Sequence, residues 1–135
     1  MRRFPTVFLS IVGCAFFSHV TQAAPSVAAK KSVSDIVERS GQNLGGLIEC
    51  DRQDLRAEYL TSLRDALSVY PGVDPTKARA LIRQIERQGE VIGRLGIKSI
   101  PSPTEEELER QRRVCEWQVG DAKRDIRTLD DFILQ

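Results

Sequence analysis

Two cysteines, Cys50 and Cys115, are the residues of this chain with the clearest chemical potential. The single histidine, His19, and the third cysteine, Cys14, both lie within the first two dozen residues. Cys50 and Cys115 form no Cys-x-x-Cys pair, so their spacing favours a structural disulfide over redox catalysis. Such a link would close a loop of about 65 residues and contribute roughly 4 kcal/mol in the chain-entropy model. An intermolecular bridge and two free thiols are the alternatives.

Beyond residue 24 the chain lacks histidine, which is the commonest catalytic base and metal ligand. Ser-His-Asp and Cys-His arrangements are therefore absent, as are zinc-finger and haem-attachment spacings. Carboxylates are plentiful, but none has the spacing of a calcium loop or of a paired catalytic acid and base. A Ser-Lys dyad has no positive support. We predict a protein that is not an enzyme, with no catalytic residue, no metal ion and no cofactor.

The first residues have the features of a secretory signal peptide. Arg2 and Arg3 precede an apolar run over residues 7–17, and small residues lead up to Ala24. We therefore predict a signal peptide over residues 1–23 and a location in the periplasm or outside the cell. The apolar run is shorter than the roughly 20 residues that a membrane-spanning helix needs, so we expect no permanent membrane anchor.

Residues 11–14 offer an alternative, because Ile-Val-Gly-Cys resembles the lipobox at which bacterial lipoproteins are lipidated. The protein would then be a lipoprotein anchored through Cys14. Apolar residues continue directly after Cys14, where a lipoprotein normally turns polar, and this favours soluble export.

The charge balance limits the partners that electrostatics alone would attract. The chain has 20 basic and 19 acidic residues and a formal net charge of +1. Loss of Arg2 and Arg3 with a signal peptide would bring this to about −1. A nearly neutral domain has no global attraction for nucleic acid or anionic lipid, so we expect no nucleic-acid partner.

From Ser32 to the C-terminus, apolar residues recur at steps of three and four, which is the periodicity of amphipathic helices. Residues 24–31 carry no such pattern and are predicted to form a flexible lead. We find no strand signal and no internal repeat. The sequence therefore predicts an all-α fold, with a helical domain over residues 32–135. We expect this domain to be an antiparallel bundle of three to four helices, with one long C-terminal helix, stapled by a disulfide.

Capping signals mark four helix starts, at Ser32, at Asp51, at Asp74 and, for the last helix, at either Ser102 or Thr104. In the first helix, Gly41 and Gly45 are four residues apart and predict close approach of a neighbouring helix. On the third helix the expected buried face comprises Ala78, Leu81, Ile82, Ile85, Ile92 and Leu95. On the last helix the stripe comprises Leu108, Arg112, Cys115, Val119, Ala122, Ile126, Leu129 and Ile133.

Trp117 lies two positions from Cys115, which at about 100° per residue places it opposite the apolar stripe of the last helix. Either a neighbouring helix covers Trp117, or the side chain is exposed and marks a partner surface. Leu60 and Phe132 raise the same question.

Arg79, Arg83 and Arg87 recur at intervals of four and form a basic row on the third helix. Such a row could grip an anionic ligand. The interleaved Glu86 and Glu90 also fit an ordinary solvated helix face.

Protein interaction, through Trp117 and the outer face of the last helix, is the function that these residues predict, with a protein partner that the sequence does not identify. An acid-stress chaperone is one alternative, because protonation of 19 carboxylates would make the chain strongly positive and loosen it. A binder of small anionic ligands that uses Arg79, Arg83 and Arg87 is the other.

Overall fold

The structure is a computed structural model and describes residues 23–135. The predicted signal peptide, apart from Ala23, and the lipobox at Cys14 lie outside the described residues. Within the described part the chain is all-helical, without strands, and a short 3-10 turn over Ile97–Ser99 precedes the last helix. The α-helices are α1 (Val27–Glu49), α2 (Gln53–Val69), α3 (Pro75–Arg94) and α4 (Glu105–Ile133).

The central pair of the bundle is α1 and α2, and α3 and α4 lie on opposite sides of it, each packed against both. Successive helices run antiparallel, so that α1 is parallel to α3 and α2 is parallel to α4. Tyr59 on α2 accordingly meets Asp125 on α4, and Tyr70 stacks on Phe132 further along both helices. This confirms the predicted antiparallel bundle with a long C-terminal helix. None of the helices over residues 23–135 has the length and apolarity that crossing a membrane requires.

Glycines allow α1 and α3 to approach closely. A Cβ atom added at Gly89 would lie 2.7 Å from the Cβ of Leu44, and one at Gly93 would lie 2.6 Å from Cγ2 of Ile48. On the α1 side, a Cβ at Gly45 would lie 3.2 Å from the carbonyl oxygen of Gly89. The close approach predicted from the α1 glycines is therefore present, and α3 supplies a matching pair at the same spacing of four.

The helix starts match the sequence signals in two cases and differ in two. Ser26 accepts a hydrogen bond from the Ala29 amide and caps α1. Residues 27–31 are therefore helical, and the prediction of a flexible lead over them was wrong because the two alanines after Val27 favour a helix once Ser26 caps it. Asp51 does not cap α2. Its φ of 56° ends α1, and Arg52 takes the N-cap position without a side-chain hydrogen bond.

Asp74 caps α3 as predicted, and of the two candidates for the last helix Thr104 caps α4. The Asp74 carboxylate accepts from the amides of Thr76 and Lys77, both at 2.9 Å. Thr104 and Glu107 form a capping box, in which the Thr104 amide donates to the Glu107 carboxylate at 2.6 Å. The Lys77 amide is the main cause that lowers the pKa of Asp74, and the Thr104 amide does the same for the pKa of Glu107.

Substitution of Gly89 tests the contact between α1 and α3. Gly89→Ala should lower the free energy of unfolding by about 1–3 kcal/mol, because its methyl group overlaps Leu44. Gly120→Ala is the matched control, since a Cβ there would meet only the Arg124 guanidinium of the same helix, 3.6 Å away. It should raise stability by about 0.5–1 kcal/mol through helix propensity. Urea unfolding measures both, and equal stability of the two variants would contradict the packing described.

The capping carboxylates make stability depend on pH. Because the pKa of Glu107 is lower in the folded than in the unfolded state, its contribution is complete above about pH 4.5 and is lost as pH falls through the folded-state value. The urea midpoint should therefore fall on acidification, and Glu107→Gln should make that fall shallower. An identical slope in the wild-type protein and in Glu107→Gln would remove the capping box as a cause.

Candidate functional site

A disulfide joins the end of α1 to the first half of α4. Cys50 and Cys115 are bonded, with their Cα atoms 5.6 Å apart. Cys50 is the C-cap residue of α1, and Cys115 lies on the inward side of α4. The predicted intramolecular staple is confirmed, and the alternatives of free thiols and an intermolecular bridge do not describe this structure.

The first half of α4 buries none of its residues. We call residues 105–121 the α4 arm, because the first buried residue of this 29-residue helix is Ala122. The sequence stripe places Leu108 in the core, but Leu108 is 45% exposed. The reason is that α4 is longer than α1, so the part of the arm before Cys115 extends past the end of α1 at Glu49. Leu95, also expected in the core, is 75% exposed at the C-cap of α3, where both α1 and α3 end.

The arm is held where it leaves the bundle. The Gln118 amide group occupies the space that a Cβ at Gly46 would need, so α4 and α1 are in contact there. One helical turn further towards the N-terminus of α4, the disulfide joins Cys115 to Cys50. A tight contact and a covalent bond within one turn fix the direction of the arm.

Trp117 is 64% exposed on the outer side of the arm. Val114, one turn earlier on the same side, is 38% exposed. Gly120, one turn later, has no atom of another element near its Cβ position. Leu60 and Phe132, which raised the same question in the sequence, are both buried. Of these three residues, Trp117 alone is open to a partner.

Arginines surround Trp117, and each is paired with a carboxylate of its own helix. Arg110 pairs with Glu106 at 3.0 Å, Arg113 pairs with Glu109 at 3.3 Å, and Arg124 pairs with Asp121. Exposed pairs of this type contribute at most a few tenths of a kcal/mol and exchange readily with other partners. We define the Trp117 face as Arg110, Arg113, Val114, Trp117, Gly120 and Arg124.

A buried carboxylate, Asp125, links three helices. Arg39 on α1 donates from both Nε and Nη2 to its two oxygens, and Asn43 donates to Oδ2 at 2.8 Å. The hydroxyl group of Tyr59 on α2 donates to the same oxygen at 3.2 Å, and it lies 3.3 Å from Oγ of Ser40. Burial raises the pKa of Tyr59 to about 12, so this hydroxyl keeps its proton at neutral pH and remains a donor.

This cluster is structural, because its polar atoms satisfy one another in the interior. Sequence reasoning missed Asp125, although the signal was present. Asp125 lies three residues after Ala122 and four before Leu129, both of which are on the apolar stripe of α4. A carboxylate at a core position predicts a hydrogen-bond donor on a neighbouring helix. Arg39 is such a donor, and it lies at the solvent-facing edge of the α1 face that contacts Asp125.

Asp125→Asn tests the contribution of this cluster. The substitution removes the charge that Arg39 pairs with and places an amide N–H group among donors, so the free energy of unfolding should fall by about 2–4 kcal/mol. Asp130→Asn, on the exposed side of α4, should change it by less than about 0.5 kcal/mol. Urea unfolding at pH 7 compares the two, and equal midpoints would show that the buried carboxylate is not needed.

The predicted basic row on α3 divides into two parts. Arg79 and Arg83 line a groove of about 450 Å³ between α2 and α3, and Arg64 lines it from the α2 side. Arg87 is exposed and does not line this groove. The structure therefore brings together two of the three predicted arginines and adds a third, Arg64, which the periodicity of α3 could not indicate.

No known protein-family model, curated protein or solved structure matches this chain. Within residues 23–135, no three histidine, cysteine, aspartate or glutamate side chains are grouped so that they could hold a metal ion. The functional assignment therefore depends on the surfaces described above.

Proposed function

We propose that this protein is exported and acts by binding another protein through the Trp117 face, without catalysing a reaction. The exposed indole of Trp117 beside the open position at Gly120 is the observation that carries this proposal. Tryptophan and arginine are the residues most enriched among those that dominate binding energy in protein interfaces. On this face they occur together on a helix whose direction is fixed.

Gly120 supports the proposal because no other helix of the described chain packs against it. A glycine within a helix costs about 1 kcal/mol relative to alanine. The glycines in the middle of α1 and α3 meet side chains or backbone of a neighbouring helix, as Gly45 and Gly89 do, whereas the nearest atom to a Cβ at Gly120 is in the Arg124 side chain of the same helix, 3.6 Å away. A partner that approaches closely at Gly120 would give this residue the same role.

The partner that fits is an amphipathic helix of a different protein. The Trp117 side chain and the gap at Gly120 are one turn apart, so they present a ridge and a groove of the kind that helix packing uses. Carboxylates flanking the apolar stripe of the partner would pair with Arg110 and Arg113 in exchange for the weak pairs within α4.

A second copy of the chain fits less well. An antiparallel pairing that places each Trp117 over Gly120 of the other copy would also bring Arg113 opposite Arg124 and Glu116 opposite Asp121. Like charges that face one another across an interface are unfavourable. We therefore expect the purified protein to be a monomer.

Export is supported by the disulfide, because such bonds persist in oxidising compartments and are rare in the cytosol. The proposed location is the periplasm or the outside of the cell. Intact mass of the protein recovered from the cell tests this directly, since processing before Ala24 and an oxidised pair of cysteines each give a defined mass.

Photocrosslinking in the cell that makes the protein tests the binding surface. A benzoylphenylalanine at position 117 should give an adduct with one polypeptide, at least fivefold more than the same probe at position 130, an exposed position about 140° around α4 from Trp117. The crosslinked peptide should map to an amphipathic helix of that polypeptide. Gly120→Leu should reduce the adduct at least fivefold by filling the gap, whereas Lys123→Leu, which adds the same side chain on another face, should leave it unchanged.

Three outcomes would overturn the proposal. These are an adduct with a second copy of the chain, equal adducts from positions 117 and 130, and no adduct from either position. Circular dichroism of the leucine variants confirms that the bundle is retained.

A further inference from the structure

The groove between α2 and α3 is far from the Trp117 face in sequence and is built from different helices. It has a volume of about 450 Å³, which lies within the range of small-molecule sites. Its apolar lining comes from Pro75, Ala78 and Ile82 on α3. Ser68 completes the α2 side together with Arg64.

The arginines of this groove differ from most others in the described chain. Arg39, Arg52, Arg56, Arg110, Arg112, Arg113 and Arg124 each form an ion pair with a carboxylate. Arg64, Arg79 and Arg83 form none with any described residue. Their guanidinium groups are therefore available to an anion that comes from outside the chain.

Two helices contribute these guanidinium groups, and an apolar surface lies between them. Glu86 is the only carboxylate among the lining residues, so the lining carries a formal charge of +2. An inorganic anion would leave the apolar lining unused, and a neutral apolar molecule would leave the arginines unused. A molecule with one anionic group and one apolar chain uses both.

We infer that this groove binds a single-chain amphiphilic carboxylate of the fatty-acid type. The carboxylate group lies against Arg79 and Arg83 on α3 and Arg64 on α2, because a guanidinium can donate two parallel hydrogen bonds to a carboxylate. The alkyl chain lies over Ala78 and Ile82. This inference concerns a second site and does not depend on binding at the Trp117 face.

Titration with sodium decanoate, followed by the amide resonances of ¹⁵N-labelled protein, tests the inference. Decanoate should give saturable shifts at Ala78 and Ile82. Decanol, which has the same chain without the charge, should bind at least tenfold more weakly, and acetate at the same concentration should give no saturable shift. Equal affinity for decanol, or saturable shifts only at other helices, would overturn the inference.

Matched variants separate a built site from general attraction to positive charge. The double substitution Arg79→Gln and Arg83→Gln should weaken decanoate binding at least tenfold. Arg87→Gln removes an arginine of the same helix that lies outside the groove and forms no ion pair with a described residue, and it should change the affinity less than twofold. Ser68→Trp should block binding by filling the groove while every arginine is kept. A similar loss in the Arg87 variant, or full binding by the Ser68 variant, would contradict the site.

Trp117→Ala should retain decanoate binding, because Trp117 does not line the groove. Failure of the partner-binding proposal and failure of this inference are therefore distinguishable in the same set of proteins.

Discussion

A carboxylate that is shielded from water needs hydrogen-bond donors from several directions. The position of Asp125 therefore fixes the arrangement of three of the four helices. Arg39 and Asn43 reach it from α1 and Tyr59 reaches it from α2, so a shift of either helix along α4 would break several hydrogen bonds at once. Apolar packing tolerates small sliding motions more readily than such a cluster does. In a small core made largely of aliphatic side chains, this polar cluster specifies the register of α1, α2 and α4.

Helix α1 has a different type of contact on each side. Towards α4 it presents Arg39 and Asn43, and towards α3 it presents Gly41 and Gly45. The first contact is directional and the second is steric. Because α1 is held in both ways, the surfaces that remain free are at the periphery of the bundle, on the α4 arm and between α2 and α3. The two proposed binding sites lie at these places.

Sequence patterns predicted the fold class, the disulfide and the caps at Asp74 and Thr104, because each of these depends on local spacing or on the redox behaviour of cysteine. They did not predict that the Leu108 end of the apolar stripe would be exposed, because burial depends on the length of the neighbouring helix and not on the stripe itself. The pairing of Gly89 and Gly93 with α1 also needed knowledge of which helices are neighbours. The same holds for Arg64, which joins Arg79 and Arg83 only because α2 and α3 lie side by side.

The link between Cys50 and Cys115 turns the segment that contains α2 and α3 into a covalent ring from which α1 and the rest of α4 emerge as two tails. A protease that cuts one peptide bond inside the ring, for example at the turn that contains Gly72, releases no fragment. Both pieces stay joined through sulfur, and the molecule keeps its mass apart from the added water. The two pieces would separate only after reduction, so the protein can lose the continuity of its backbone and still present both tails as one particle.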